Sequence, residues 1–153
     1  MEFDKLSNRV IGCAIQVHRE LGSGLLESTY EQCLAHGLKM NGIAFQVQHP
    51  QPVQYKGIRL DCGYRIDTLV ENELIIELKS VEEIKGIHEA QLLPYMKLSG
   101  VKTGLPINFH VTKLKDDIKR FSKNWGIITV LWIDWELVTL STTFPQFSRG
   151  VRA

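Results

Sequence analysis

Two segments at the start of the chain have apolar residues at every third or fourth position, which is the period of an amphipathic helix. In residues 6–21 this stripe contains Val10, Ala14 and Val17, and the glycine-rich residues 22–24 that follow predict a helix end. A second helix is predicted from about Ser28 to residue 40, where Asn41-Gly42 ends it in the same way.

After residue 42 the pattern changes to short apolar or alternating runs, which predict β-strands. The predicted strands are residues 43–47, 51–55, 58–62, 64–70 and 74–78. The polar residues 71–73 join the last two into a β-hairpin. The helical period returns over 86–99, around Pro94, and a strand over 106–111 and a short helix over 116–121 follow. This order predicts an α/β fold with a central mixed sheet flanked by helices.

Composition is typical of a soluble globular protein and does not change this picture. The 153 residues suit one domain, with 44% apolar and 23% charged residues. The sequence has no signal-peptide pattern and no apolar run near the roughly 20 residues that span a bilayer. We therefore expect a cytoplasmic protein with no membrane partner.

Cysteine spacing argues against a zinc-binding protein, and net charge argues against a protein that binds nucleic acid by bulk electrostatics. Cys13, Cys33 and Cys62 form no Cys-x-x-Cys pair, so we expect buried thiols and no zinc site. The net charge of +1 argues against nucleic-acid binding by bulk electrostatics. Basic residues do become more frequent between 97 and 123, where they form either a solvated face or a phosphate-binding surface.

The predicted hairpin brings candidate catalytic residues together. Glu77 and Lys79 share one face of their strand because successive side chains alternate, and Asp67 lies on the neighbouring strand. If the register aligns Asp67 with Glu77, the two carboxylates repel each other unless a cation lies between them. Mg²⁺, or Mn²⁺ in its place, prefers such oxygen ligands, and the backbone carbonyl of Leu78 is a candidate further ligand.

Lys79 completes a set suited to phosphodiester hydrolysis. An ammonium group beside a cation can orient a water and offset charge on phosphate. A Glu-x-Lys pair on a solvated sheet face is common and without function, and that interpretation stays open. Ile75 and Ile76, however, indicate a buried strand, where charged residues are costly without partners.

Several motifs resemble one known family. Residues 24–30, Gly-Leu-Leu-Glu-Ser-Thr-Tyr, match the Gly-x-x-Glu-x-x-Tyr signature of the GxxExxY proteins, which are assigned to the PD-(D/E)xK nuclease superfamily. The match continues through residues 17–22, the Asp67 hairpin with Glu-Leu-Lys at 77–79, residues 88–95, residues 107–109 and residues 114–120.

This resemblance implies a restriction-endonuclease-like αβββαβ core and a metal-dependent nuclease acting on DNA or RNA. By that analogy Asp67 and Glu77 are metal ligands, and Lys79 activates the water. Glu27 is an additional ligand or the acid that positions the metal, and Gln91, with Tyr95 one turn later, borders the site. The alternative is a catalytically inactive nuclease-fold module that binds nucleic acid or regulates another protein.

The C-terminal residues form a separate expectation. Residues 1–123 are predicted as the nuclease-like domain, and residues 124–153, which contain Trp125, Trp132 and Trp135, as an extension. Its apolar character indicates that it packs on the same domain or forms an interface through which the chain makes a homo-oligomer.

Overall fold

A computed structural model describes residues 4–82, 86–114, 118 and 121–122 of the chain. Within these residues no helix is both long enough and apolar enough to cross a membrane. The elements are α1 (Lys5–Leu21), α2 (Glu27–Met40), β1 (Phe45–Pro50), β2 (Val53–Tyr55), β3 (Ile58–Leu60), β4 (Arg65–Val70), β5 (Leu74–Lys79), α3 (Gly86–Ser99), β6 (Thr103–Asn108) and β7 (Phe121–Ser122).

Five of the strands form one mixed sheet in the order β1-β4-β5-β6-β7. β5 and β6 are parallel, and α3 is the crossover between them, whereas the other neighbours pair antiparallel. β2 and β3 form a separate two-stranded hairpin between β1 and β4. The predicted α/β class with a central mixed sheet is confirmed.

Apolar clusters lie on both faces of this sheet. The first cluster joins residues of α1 and α2, such as Leu34, to Ile76 and Leu78 of β5. The second joins residues of α3, such as Met96, to Ile75. Since side chains alternate along a strand, Glu77 shares the α3 face with Ile75.

The local pattern predicted the helices well and some strands less well. α1 is capped by the Asp4 side chain, which accepts a hydrogen bond from the Ser7 N–H at 2.9 Å. β6 begins at Thr103, three residues before the predicted start. Most of the helix predicted over 116–121 lies outside the described residues, but Phe121 begins β7.

The cysteines differ from one another in burial. Cys13 is buried, and burial raises the pKa of its thiol. Cys33 is half-buried and Cys62 is exposed, so the expectation of a buried thiol is wrong for Cys62. Cys62 lies beyond the end of β3, because the strand predicted over 58–62 ends at Leu60, and all three residues of β3 are themselves exposed.

Candidate active site

The site forms where β4 and β5 part. Backbone pairing between them ends at Thr68 opposite Ile76, although β5 continues to Lys79. Beyond that pair, the N–H of Leu78 donates to Oδ2 of Asp67 at 2.9 Å, so a side chain replaces the backbone partner. This bond fixes the Asp67 carboxylate beside β5, where one further step of the register places it opposite Glu77.

Glu77 is a buried carboxylate, and one of its oxygens has no hydrogen-bond partner among the described residues. The residue is 7% exposed, and its Oε1 lies 3.7 Å from Nζ of Lys79, an ion pair longer than a hydrogen bond. Its Oε2 is buried and accepts no hydrogen bond from any residue that the structure describes. An ionised oxygen in that position is costly, so it needs either a proton or a cation.

Burial and neighbouring negative charge raise the pKa of both carboxylates. Burial, and then the charge of Asp67, raises the pKa of Glu77 to about 7, against the opposing effect of Lys79. Burial also raises the pKa of Asp67, although the hydrogen bond from Leu78 opposes this. The negative charges of Glu31 and Glu27 raise it further. A region where burial and four carboxylates act together attracts positive charge.

The backbone that carries Lys79 is held from β6. The Lys79 carbonyl accepts a hydrogen bond from the N–H of Phe109 at 2.9 Å. Asn108, 1% exposed and opposite Lys79 in the register, accepts from Val81 N and His110 N, both at 3.1 Å. Its Nδ2 donates to the Val81 carbonyl at 2.7 Å. Asn108 lies in a motif quoted for the family resemblance, but sequence reasoning gave it no role.

Glu27 connects α2 to the end of β5. Its side chain is exposed, and Oε1 accepts from the N–H of Ser80 at 3.0 Å. The Ser80 hydroxyl donates to the Leu25 carbonyl at 3.1 Å, which makes a second tie between the same segments. The structure therefore brings Glu27 to the residue after Lys79. Its charge acts on both Asp67 and Glu77, and its role as a metal ligand stays a prediction.

The tyrosine of the signature is structural. Tyr30 stacks on Phe109 with ring centroids 4.3 Å apart, and its hydroxyl donates to the Gly22 carbonyl at 2.6 Å. The same hydroxyl accepts from the N–H of Leu25 at 3.1 Å. Gly24 adopts φ +98°, which favours glycine. The signature thus builds the loop that presents Glu27.

Sequence reasoning missed Glu31 and Gln48. Gln48 has φ +50° and lies opposite Asp67, between the pairs that flank it on β1 and β4. Its Nε2 donates to Oε2 of Glu31 at 2.7 Å. One signal was available, because Glu31 is four residues after Glu27 and so shares its helix face. The contribution of Gln48 depends on strand pairing, which local periodicity does not give.

Tyr95 borders the site, and Gln91 is farther out. Burial raises the pKa of Tyr95, and the charges of Glu77 and Asp67 raise it further, so the phenol group lies within their electrostatic influence. The ring packs edge-on against Tyr64 at 6.2 Å. Gln91 is exposed on α3, and the described contacts do not join it to the carboxylates. Its catalytic role stays a prediction.

The donor set fits a divalent cation with few protein ligands. Among the described residues, no three carboxylate, histidine or cysteine side chains converge closely enough to hold a metal. Mg²⁺, however, usually keeps several waters and binds through one or two carboxylates. Asp67 and Glu77, with the unpaired Oε2, supply that number. The N–H of Leu78 holds Asp67, and its carbonyl as a ligand stays a prediction.

Comparison with known proteins identifies the family of the chain. A family model described as the PD-(D/E)XK nuclease superfamily matches residues 4–121, a range that includes every candidate site residue. No curated protein and no solved structure matches the chain. The family match covers well over half of the sequence, and the chain belongs to the PD-(D/E)XK nuclease superfamily.

Proposed function

We propose that this protein is a divalent-metal-dependent nuclease that hydrolyses phosphodiester bonds of DNA or RNA. The observation that carries the proposal is the buried, unpartnered Oε2 of Glu77 beside the raised-pKa carboxylate of Asp67. Two such groups on a central sheet are stabilised by a proton or by a cation, and nucleases of this superfamily are typically metal-dependent. The superfamily fold also implies a nucleic-acid substrate.

In this proposal Asp67 and Glu77 hold Mg²⁺, or Mn²⁺ in its place. The bound cation supplies Lewis acidity that lowers the pKa of a water and offsets charge on phosphate. The Lys79 ammonium, paired to Glu77 on the same strand face, orients the attacking water and stabilises the charge that develops on phosphate. Burial of Glu77 strengthens each of these interactions by excluding bulk water.

The remaining predicted residues have supporting roles. Glu27 holds Ser80 and thereby the end of β5. Gln91 approaches the substrate from the exposed side of α3, and the Leu78 carbonyl contributes an oxygen to the cation. Assignment to the GxxExxY family within the superfamily is part of the same proposal, since the signature residues build the loop before Glu27.

A cleavage assay tests the proposal. The purified chain is incubated with end-labelled single-stranded and duplex DNA and RNA, with Mg²⁺ and with EDTA. We expect cleavage of at least one substrate with Mg²⁺ only, and its loss in Asp67→Asn and Glu77→Gln. Glu73→Gln, which neutralises an exposed carboxylate in the β4–β5 turn, is the matched control and keeps activity. Activity that survives both site variants contradicts the proposal.

The second candidate is an inactive nuclease-fold module that binds nucleic acid or a protein. The observation that favours it is that no third acidic ligand converges on the site within the described residues. Calorimetric titration with Mg²⁺ or Mn²⁺ separates the two. A nuclease shows a binding site that Asp67→Ala and Glu77→Ala abolish, whereas identical titrations of all three proteins favour the inactive module.

A further inference from the structure

The α3 face of the sheet carries a cleft of about 540 Å³ whose lining includes Leu69, on the same strand as Asp67. We call it the Arg59 cleft. Gln51 and Arg59 lie on the side of the β2–β3 hairpin, Leu98 and Ser99 of α3 lie on the opposite side, and Leu69 of β4 is among the residues between them. Its volume is that of a small-ligand pocket.

Two residues that line the Arg59 cleft, Leu69 and Ser99, are close in sequence to Asp67 and Tyr95. On β4, Leu69 is two residues from Asp67. On α3, Ser99 lies one turn after Tyr95 and donates its hydroxyl to the Tyr95 carbonyl at 2.6 Å. Tyr95 in turn lies within electrostatic reach of Asp67 and Glu77.

Tyr64 does not line the Arg59 cleft itself, but it contacts Gln51, which does, and Tyr95 on α3. Its carbonyl accepts from the N–H of Gln51 at 2.9 Å, which closes the base of the β2–β3 hairpin. Its ring lies roughly perpendicular to that of Tyr95, and the residue is 48% exposed, so part of the side chain is accessible to a ligand. A planar, exposed ring of this kind suits stacking with a base.

The chemistry of the Arg59 cleft suits a polyanion with planar groups. Arg59 is exposed, and none of the described lining residues is acidic, in contrast to the carboxylate-rich active site. An unpaired segment can present a phosphate and an unstacked base together, whereas the bases of a duplex stay paired and stacked.

We propose that the Arg59 cleft holds an unpaired segment of the nucleic-acid substrate next to Asp67 and Glu77, with Arg59 bound to a phosphate and Tyr64 stacked on a base. This inference rests on the proposed function, since it names the substrate class of the same site. It predicts binding that is independent of the metal and of catalysis.

Fluorescence anisotropy of the full chain in EDTA tests the inference, with a labelled mixed-sequence single strand and a duplex of equal length. We expect the single strand to bind more tightly. Arg59→Ala weakens its binding about fivefold or more and lowers the magnitude of the slope of log K against log salt by about 0.7. Tyr64→Ala weakens binding by about fivefold or more, and Tyr64→Phe retains it, because stacking needs the ring and not the hydroxyl.

Lys39→Ala is the matched control, since it removes one exposed positive charge at the end of α2, on the other side of the sheet. It leaves the salt slope unchanged. Three results overturn the inference: equal effects of Arg59→Ala and Lys39→Ala, equal affinity for duplex and single strand, or no binding by the wild type. Normal binding without cleavage in Mg²⁺ contradicts only the proposed nuclease activity.

Discussion

At the scale of single residues, the most informative feature is that Glu77 carries a carboxyl group within the interior of the sheet. It follows Ile75 and Ile76 on a strand whose residues are almost all buried, and one of its oxygens has no described hydrogen-bond donor. A glutamate in such a position lowers stability unless it is protonated or bound to a cation. The residue therefore makes sense as part of a binding site rather than as part of the core.

Glu77→Gln should change how stability depends on pH. Burial, and then the charge of Asp67, raises the pKa of Glu77 to about 7 in the folded chain, from 4.5 for an ordinary glutamate side chain. Between these values the folded state retains a proton that the unfolded state has lost, so the free energy of unfolding falls as pH rises. Without metal, we expect ionisation of Glu77 to lower the free energy of unfolding of the wild type by about 3 kcal/mol between pH 4.5 and pH 7.

Urea unfolding at several pH values between 4.5 and 7 measures this loss. Glu77→Gln, which cannot ionise, should be more stable than the wild type at neutral pH and should lack this part of the decline. The exposed-site control Glu73→Gln should follow the wild type. If the free energy of unfolding of Glu77→Gln depends on pH in the same way as that of the wild type, the pKa of Glu77 is not raised in the folded chain.

Lys79→Ala should separate catalysis from metal binding. The ammonium contacts Glu77 at 3.7 Å but has no lone pair to offer a cation, so its removal leaves the ligand oxygens in place. We expect cleavage to be lost while Mg²⁺ affinity, measured by calorimetry, stays nearly intact. Wild-type cleavage rates in this variant would remove Lys79 from the mechanism.

At the scale of elements, the end of β5 is held from two directions. Glu27 at the start of α2 binds the N–H of Ser80, and Asn108 at the end of β6 binds both backbone polar groups of Val81. These bonds fix the direction of the strand immediately after Lys79. Precise placement of catalytic groups commonly depends on such supporting contacts.

Glu27 variants test whether this residue positions β5 or binds the metal. Gln retains an oxygen that accepts the hydrogen bond from Ser80, whereas Ala removes it. We expect Glu27→Gln to keep most of the cleavage rate and the Mg²⁺ affinity, and Glu27→Ala to lose rate with little change in affinity. Loss of metal affinity in Glu27→Gln would show instead that Glu27 is a ligand.

Gly104 tests the contact between β6 and α3. A Cβ at this position would lie 2.8 Å from Cδ2 of Leu92 and 2.9 Å from Sδ of Met96, closer than packed atoms allow. We expect Gly104→Ala to lower the free energy of unfolding by about 1–3 kcal/mol, measured by urea denaturation.

The matched control is Gly12→Ala, at an exposed position of α1 where a Cβ would meet no atom within 4 Å. Because alanine favours the helix, this variant should gain about 0.5–1 kcal/mol. Equal effects of the two substitutions would contradict the close packing of α3 on β6.

At the scale of the whole molecule, local sequence pattern predicted the elements better than their arrangement. The predicted helix over 86–99 has the observed bounds, and the hairpin carrying Asp67 and Glu77 is present. The parallel pairing of β5 with β6 and the separation of β2 and β3 from the main sheet depend on long-range contacts, which periodicity does not encode.

Dependence on long-range contacts also explains which site residues the sequence pattern did not reveal. Asp67, Glu77 and Lys79 could be identified because they are polar residues within buried strands. Gln48 and Tyr64 act through contacts with other elements, and their neighbours in sequence give no sign of it. The predicted division into residues 1–123 and 124–153, and the predicted interface through the C-terminal tryptophans, concern residues that lie mostly outside the described ones.

The central claim is that Asp67 and Glu77 share one divalent cation, and a manganese-soaked crystal tests it most directly. Anomalous difference density should show one peak within about 2 to 2.5 Å of a carboxylate oxygen from each residue. The same soak of Glu77→Gln crystals should show no peak there. A wild-type crystal with manganese bound elsewhere, or with no density between the two carboxylates, would contradict the account.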